Sequence, residues 1–126
     1  MFTERLFDAD GRRLNLAVGP AHGPPLLLLH GVARAWQDFA PLLPAIAARW
    51  QIFALDFRGH GKSERAPRQY YVRDYVRDAL AVLRTQVPEP AVIYGHSLGG
   101  LVAAGAAAEA PERVRAVILE DPPSAE

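Results

Sequence analysis

The stretch Tyr94-Gly95-His96-Ser97-Leu98-Gly99-Gly100 lies between an apolar run, Ala91-Val92-Ile93-Tyr94, and a segment of small residues from Leu98 to Ala110. A serine inside a strand cannot project from the end of a sheet, whereas a very sharp strand-to-helix turn puts it there. Such a turn presses the residues two before and two after the serine against neighbouring backbone, so both must be small. Gly95 and Gly99 meet that requirement and Gly100 adds to it. At a helix start, Ser97 stands among unpaired amides whose dipole favours developing negative charge, and the Leu98 amide is the natural donor. Gly-x-Ser-x-Gly is a weak signal by itself, and the strand before it and helix after it give it weight. The bland alternative is a glycine-rich turn with an incidental serine.

Outward from that turn, further unbroken apolar runs occur at Leu26-Leu27-Leu28-Leu29, after Pro24-Pro25, at Ile52-Phe53-Ala54-Leu55, and at Val117-Ile118-Leu119 with Val114 ahead of them. Runs of that length fit strands buried on both faces, and helix-sized segments between them fit a parallel sheet with crossover helices. Phe2 to Phe7 and Arg13 to Val18 flank Asp8-Ala9-Asp10-Gly11, which predicts a β-hairpin. The first crossover, Trp36 to Arg49, contains Pro41 and Pro44 and is expected to be broken. In the second, Val72, Tyr75, Val76, Ala79, Leu80 and Leu83 recur at helical spacing, with Arg73, Asp74, Arg77, Asp78 and Arg84 between them, which predicts an amphipathic helix. The third, Leu98 to Ala110, has so little side-chain bulk that it can lie very close to the sheet. Pro111-Glu112-Arg113 ends it, and Asp121 to Glu126 reads as a loop. The expectation is a single α/β domain over residues 1–126, a mostly parallel sheet of about six strands with about three helices.

Leu29-His30-Gly31-Val32 follows one strand run, and Asp56-Phe57-Arg58-Gly59-His60-Gly61-Lys62-Ser63 follows the next. With these motifs and the serine turn in this order, the chain resembles the α/β-hydrolase superfamily, in its serine-nucleophile, esterase- and lipase-like branch. The resemblance covers nearly the whole chain and corresponds to the N-terminal half of the fold, with the last two strands absent. It implies Ser97 as the nucleophile of an acyl-enzyme, the backbone amides of Val32 and Leu98 as oxyanion hole, and the loop from Asp56 to Ser63 as a shaping element. A serine at this turn points away from the aspartate-dependent haloalkane dehalogenases and epoxide hydrolases and toward acyl chemistry. Esterases, lipases, thioesterases, carbon–carbon bond hydrolases and cofactor-free haloperoxidases share the pattern. The implied partner is a small-molecule acyl substrate, and no metal or organic cofactor is implied.

Composition excludes other classes. Lys and Arg number 14 and Asp and Glu 14, so no net field recruits nucleic acid or an anionic membrane surface. There is no cysteine, which removes disulfides, thiolate metal sites and a cysteine nucleophile. The N-terminus has no basic patch followed by an apolar run, so the expected compartment is the cytoplasm. Gly61-Lys62-Ser63 matches the end of a P-loop, but the position that needs the first glycine is Asp56, an anion where phosphate would sit.

The resemblance implies the chain order serine, acid, histidine. After Ser97 come Glu109, Glu112, Glu120, Asp121 and Glu126, and no histidine. Asp121 follows the last strand run, where some members of the superfamily carry the acid; otherwise it is a loop-capping Asp before Pro122. His22, His30, His60 and His96 all precede Ser97, and no pair has the spacing of a helical or hairpin metal site. Two functions therefore stand. One is a serine hydrolase that cleaves an ester-like bond and whose histidine is missing from this chain. The other is an inactive form of the fold that binds a small molecule or a protein. The apolar last run is expected to be an exposed sheet edge, so the isolated chain should self-associate, aggregate or pair with a C-terminal half. Sedimentation velocity should show association; a monodisperse monomer with a cooperative melt would overturn this.

Overall fold

The computed structural model describes residues 1–123. The loop expected from Asp121 onward is described to Pro123, and residues 124–126 lie outside the described residues. The strands are β1 (Thr3–Ala9), β2 (Arg12–Val18), β3 (Pro25–Leu29), β4 (Gln51–Leu55), β5 (Ala91–His96) and β6 (Val114–Glu120). The helices are α1 (Leu43–Ile46), α2 (Val72–Thr85) and α3 (Leu98–Glu109), with 3₁₀ turns at Trp36–Phe39 and Pro111–Arg113. The first crossover is broken as its prolines require, into a 3₁₀ turn and a four-residue helix. β5 runs on to His96, beyond the apolar run, because His96 still pairs with Glu120 of β6.

All of these strands join one sheet in the order β1-β2-β4-β3-β5-β6. β2 pairs antiparallel with both β1 and β4, and β4, β3, β5 and β6 are parallel. β3 is buried along its whole length, and the two-residue period of a strand splits its leucines between two cores. Leu27 and Leu29 join Phe53, Leu55, Ile93 and the apolar faces of α2 and α3. Leu26 and Leu28 point the other way, to Ile52, Ala54, Phe39 and Leu43. β1 and β6 are the two edges of the sheet, and on β6 Ile118 and Leu119 are exposed. Among the described residues, no helix is long and apolar enough to cross a membrane.

The chain passes from β3 to β4 on one side and then crosses back to β5 on the other. That reversal opens a crevice at the C-terminal ends of β3 and β5, the usual place for a ligand in an open α/β sheet. The small-residue helix exploits its lack of bulk here: a β-carbon on Gly99 would run into the Leu29 carbonyl, and one on Gly95 into the Gly99 carbonyl.

The polar side of α2 differs from its sequence pattern. Asp74 and Asp78, expected between the apolar positions as part of a solvated face, are buried, while Val72 is exposed. Asp78 turns toward Arg58, whose Nη2 lies 2.6 Å and Nε 3.0 Å from its carboxylate and whose backbone N–H also donates to it. Asp74 accepts the Tyr71 N–H and caps the helix. Burial opposes the charge on Arg58, but the bonds to Asp78 outweigh it and raise its pKa. Removing one partner of such a pair leaves a buried charge uncompensated. Asp78→Ala is expected to lower the unfolding free energy by about 3–5 kcal/mol in urea denaturation, and a loss under about 1 kcal/mol would show the pair to be solvated.

Candidate active site

Ser97 is where β5 turns into α3, at φ 54° and ψ −117°. A non-glycine residue in that region is strained by about 1–3 kcal/mol and persists only where its surroundings over-determine it. They do so here. The Ser97 N–H donates to the Glu120 carbonyl at 2.9 Å, fastening the turn to the end of β6, and the Ser97 carbonyl accepts the Gly100 N–H at 2.8 Å. Leu98 is the first residue of α3, so its N–H has no partner within the helix.

The loop after β3 passes directly over this turn. A β-carbon on Gly31 would sit 3.4 Å from the Ser97 β-carbon and 3.3 Å from His96 Nδ1. Val32, the next residue, has an exposed side chain, and among the described residues its amide makes no hydrogen bond. An open cleft of about 300 Å³ lies beside it, lined by His30, Gly31, Arg34, Phe39, Leu42, His96 and Glu120. At its mouth Arg34 pairs with Asp38 at 2.5 Å.

The four histidines divide sharply. His30 is fully buried; its Nδ1–H donates to the Gly31 carbonyl at 2.7 Å and its Nε2 accepts the Phe57 N–H at 3.1 Å, which fixes the tautomer. His60 packs on that ring with centroids 5.1 Å apart and hydrogen-bonds the Arg58 carbonyl, and His22 bonds Ala47. Among the described residues only the His96 ring makes no hydrogen bond, and it faces the cleft.

Asp121, the sequence candidate for an acid, stands just past β6 at φ 46° and is exposed. Its carboxylate, that of Glu120 and the His96 ring offer donor atoms within 4.8 Å of one another. The Tyr94 hydroxyl donates to Glu120 Oε1 at 2.6 Å, and that bond, with burial, pushes the tyrosine up to about 12. Glu120 is the exposed last residue of β6. Its place beside His96 follows from the β5–β6 register, for which the linear sequence carries no local signal. The loop from Asp56 to Ser63 wraps a carboxylate, not a phosphate: Lys62 donates its N–H to Asp56 Oδ2 and the Ser63 hydroxyl donates to the Asp56 carbonyl.

Comparison with known proteins gives a consistent result. A family model described as the alpha/beta hydrolase fold matches residues 24–126. The chain is 36% identical over 99 residues to the 2-(acetamidomethylene)succinate hydrolase of Mesorhizobium japonicum, covering 79% of this chain and 36% of that protein. It is 40% identical over 105 residues to a serine hydrolase-like protein of Danio rerio, covering 82% of this chain and 32% of that one. The crystal structure of an E-2-(acetamidomethylene)succinate hydrolase superposes with a TM-score of 0.87 at 34% identity, over 93% of this chain and 43% of the other. The chain thus spans roughly a third of the length of these relatives.

Burial holds His30 down to about 4, from an ordinary 6.5. Between those values the folded ring binds fewer protons than the unfolded one. The stability it contributes is complete above 6.5 and lost as the pH falls to about 4. Chemical denaturation at the two ends of that window should show a loss of about 3 kcal/mol. His30→Gln should flatten the slope; an unchanged slope in that variant would assign the loss to other groups.

Proposed function

Because this chain belongs to the α/β-hydrolase fold family, we propose that it carries the nucleophile and oxyanion hole of a serine hydrolase that cleaves an ester-like bond through an acyl-enzyme at Ser97. The observation that carries this reading is the strained φ of Ser97 at a strand-to-helix turn, held in place from β6.

In the reaction, Ser97 Oγ bonds to the substrate's carbonyl carbon as a base takes the hydroxyl proton. The carbonyl oxygen gains the charge and accepts hydrogen bonds from the Leu98 and Val32 amides. The carbon–oxygen bond to the leaving group then breaks, and the base returns its proton to the departing alkoxide. Water, activated by the same base, releases the acid and restores the serine. Asp121, one strand over from Ser97 at the same end of the sheet, is the acid that orients that base in this reading. The substrate is a small acyl compound, in keeping with the modest cleft and with a relative named for a small molecule.

Within these residues no histidine follows Ser97, and His30 has both ring nitrogens engaged. The second reading is a fold retained for binding a small molecule or protein. Free imidazole separates the two by standing in for the base. A fluorophosphonate probe should label the chain at a rate that rises with imidazole, and Ser97→Ala should abolish the labelling. No labelling at any imidazole concentration would favour the binding reading.

A further inference from the structure

The loop Gly31 to Ala35, which carries the Val32 amide, is fastened at both ends by consecutive residues after β4. On its near side the His30 ring bridges the Phe57 N–H to the Gly31 carbonyl. On its far side Asp56 Oδ1 accepts the Trp36 N–H at 2.9 Å. Between the two, the Gly31 carbonyl accepts the Arg34 N–H at 3.2 Å and Ala33 takes φ 62°, closing a tight turn with Val32 at its first corner.

Trp36 is held a second time, from the N-terminal hairpin. Its indole Nε1–H donates to Glu4 Oε2 at 3.0 Å, and the Phe2 ring stacks on it with centroids 5.9 Å apart. Glu4 also accepts Lys62 Nζ at 2.7 Å and Asn15 Nδ2 at 2.8 Å. These bonds, that of Lys62 foremost, hold its carboxyl down to about 2, so it is an ionised acceptor at neutral pH. Asp56, fully buried, accepts Asn15 Nδ2 at 3.0 Å and the Lys62 N–H at 3.1 Å as well. The two carboxylates thus share Asn15 and Lys62 and converge on one tryptophan.

We propose that Trp36 is the post that fixes the Val32 amide over Ser97, and that Asp56 and Glu4 are positioning residues of the oxyanion hole. This rests on the acyl-transfer reading of Ser97. An oxyanion donor is effective because it is preorganised, and a shift of about 1 Å can cost about a hundredfold in rate. A five-residue loop exposed from Val32 to Arg34 does not hold its own position; its ends do. β1, which lies outside the parallel part of the sheet and touches no part of the cleft, gains through Glu4 a direct bond to the residue that sets the site.

Imidazole-supported phosphonylation of Ser97 in the full chain tests this, using Glu4 because its partly exposed side chain can be changed without opening the core. Glu4→Leu, which removes the acceptor, should slow labelling about tenfold. Glu4→Gln, which keeps an acceptor for the indole, should stay within about threefold of wild type. Trp36→Phe should also slow labelling, and because both substitutions cut the bond between the indole and Glu4, the double variant should be slowed by less than the product of the two single effects. Equal rates in the Leu and Gln variants, whether both slow or both normal, would overturn the proposal. Failure of the wild-type chain to label would remove the acyl-transfer reading instead. In that case amide exchange over residues 31–36 decides, and exchange no faster in Glu4→Leu than in Glu4→Gln overturns the positioning role.

Discussion

The close approach of α3 to the sheet is the constraint on which the rest depends. Gly99 lies against the carbonyl of Leu29, and Gly95 against that of Gly99, so the start of the helix touches the backbone of β3. No side chain fits between them. That contact makes the turn at Ser97 sharp enough to lift its side chain out of the sheet, and it brings the end of β3, with Gly31 next in the chain, to the same spot. An alanine at either glycine would move helix and strand apart and take the two halves of the site with them.

The sheet turns this local contact into a site. β3 has β4 on one side and β5 on the other, so the loops leaving β3 and β5 emerge side by side at the crevice where the winding reverses. β6 contributes more than an edge. The Glu120 carbonyl holds the Ser97 amide, and its carboxylate reaches Tyr94 and lies near His96. Strain at Ser97 is thus balanced by a bond from a strand that follows it in the chain by about twenty residues, as a strained backbone generally requires.

Buried charge forms the second layer of organisation, and it centres on the loop after β4. Asp56 faces the loop after β3, while Arg58, two residues on, is locked to Asp78 of α2. The residue between them, Phe57, gives its amide to His30. One short segment therefore ties together the helix layer, the central strand and the turn over Ser97. Each tie is a hydrogen bond to a charged or fully buried group, where a missing partner is costly.

The sequence by itself determined the strands, the broken first crossover and the turn at Ser97. Continuous apolar runs can be buried only between two layers, prolines interrupt a helix beyond its first turn, and glycines flanking a serine report a steric demand that larger residues do not meet. Those are properties of neighbours in the chain. Tertiary structure alone decided that Asp74 and Asp78 are buried although helical periodicity puts them on a polar face, that Glu120 stands beside His96, and that Trp36 is gripped by Glu4 and Asp56. Each depends on strand register and on which element crosses over which. A burial pattern records that a position faces inward or outward; it does not record what stands opposite.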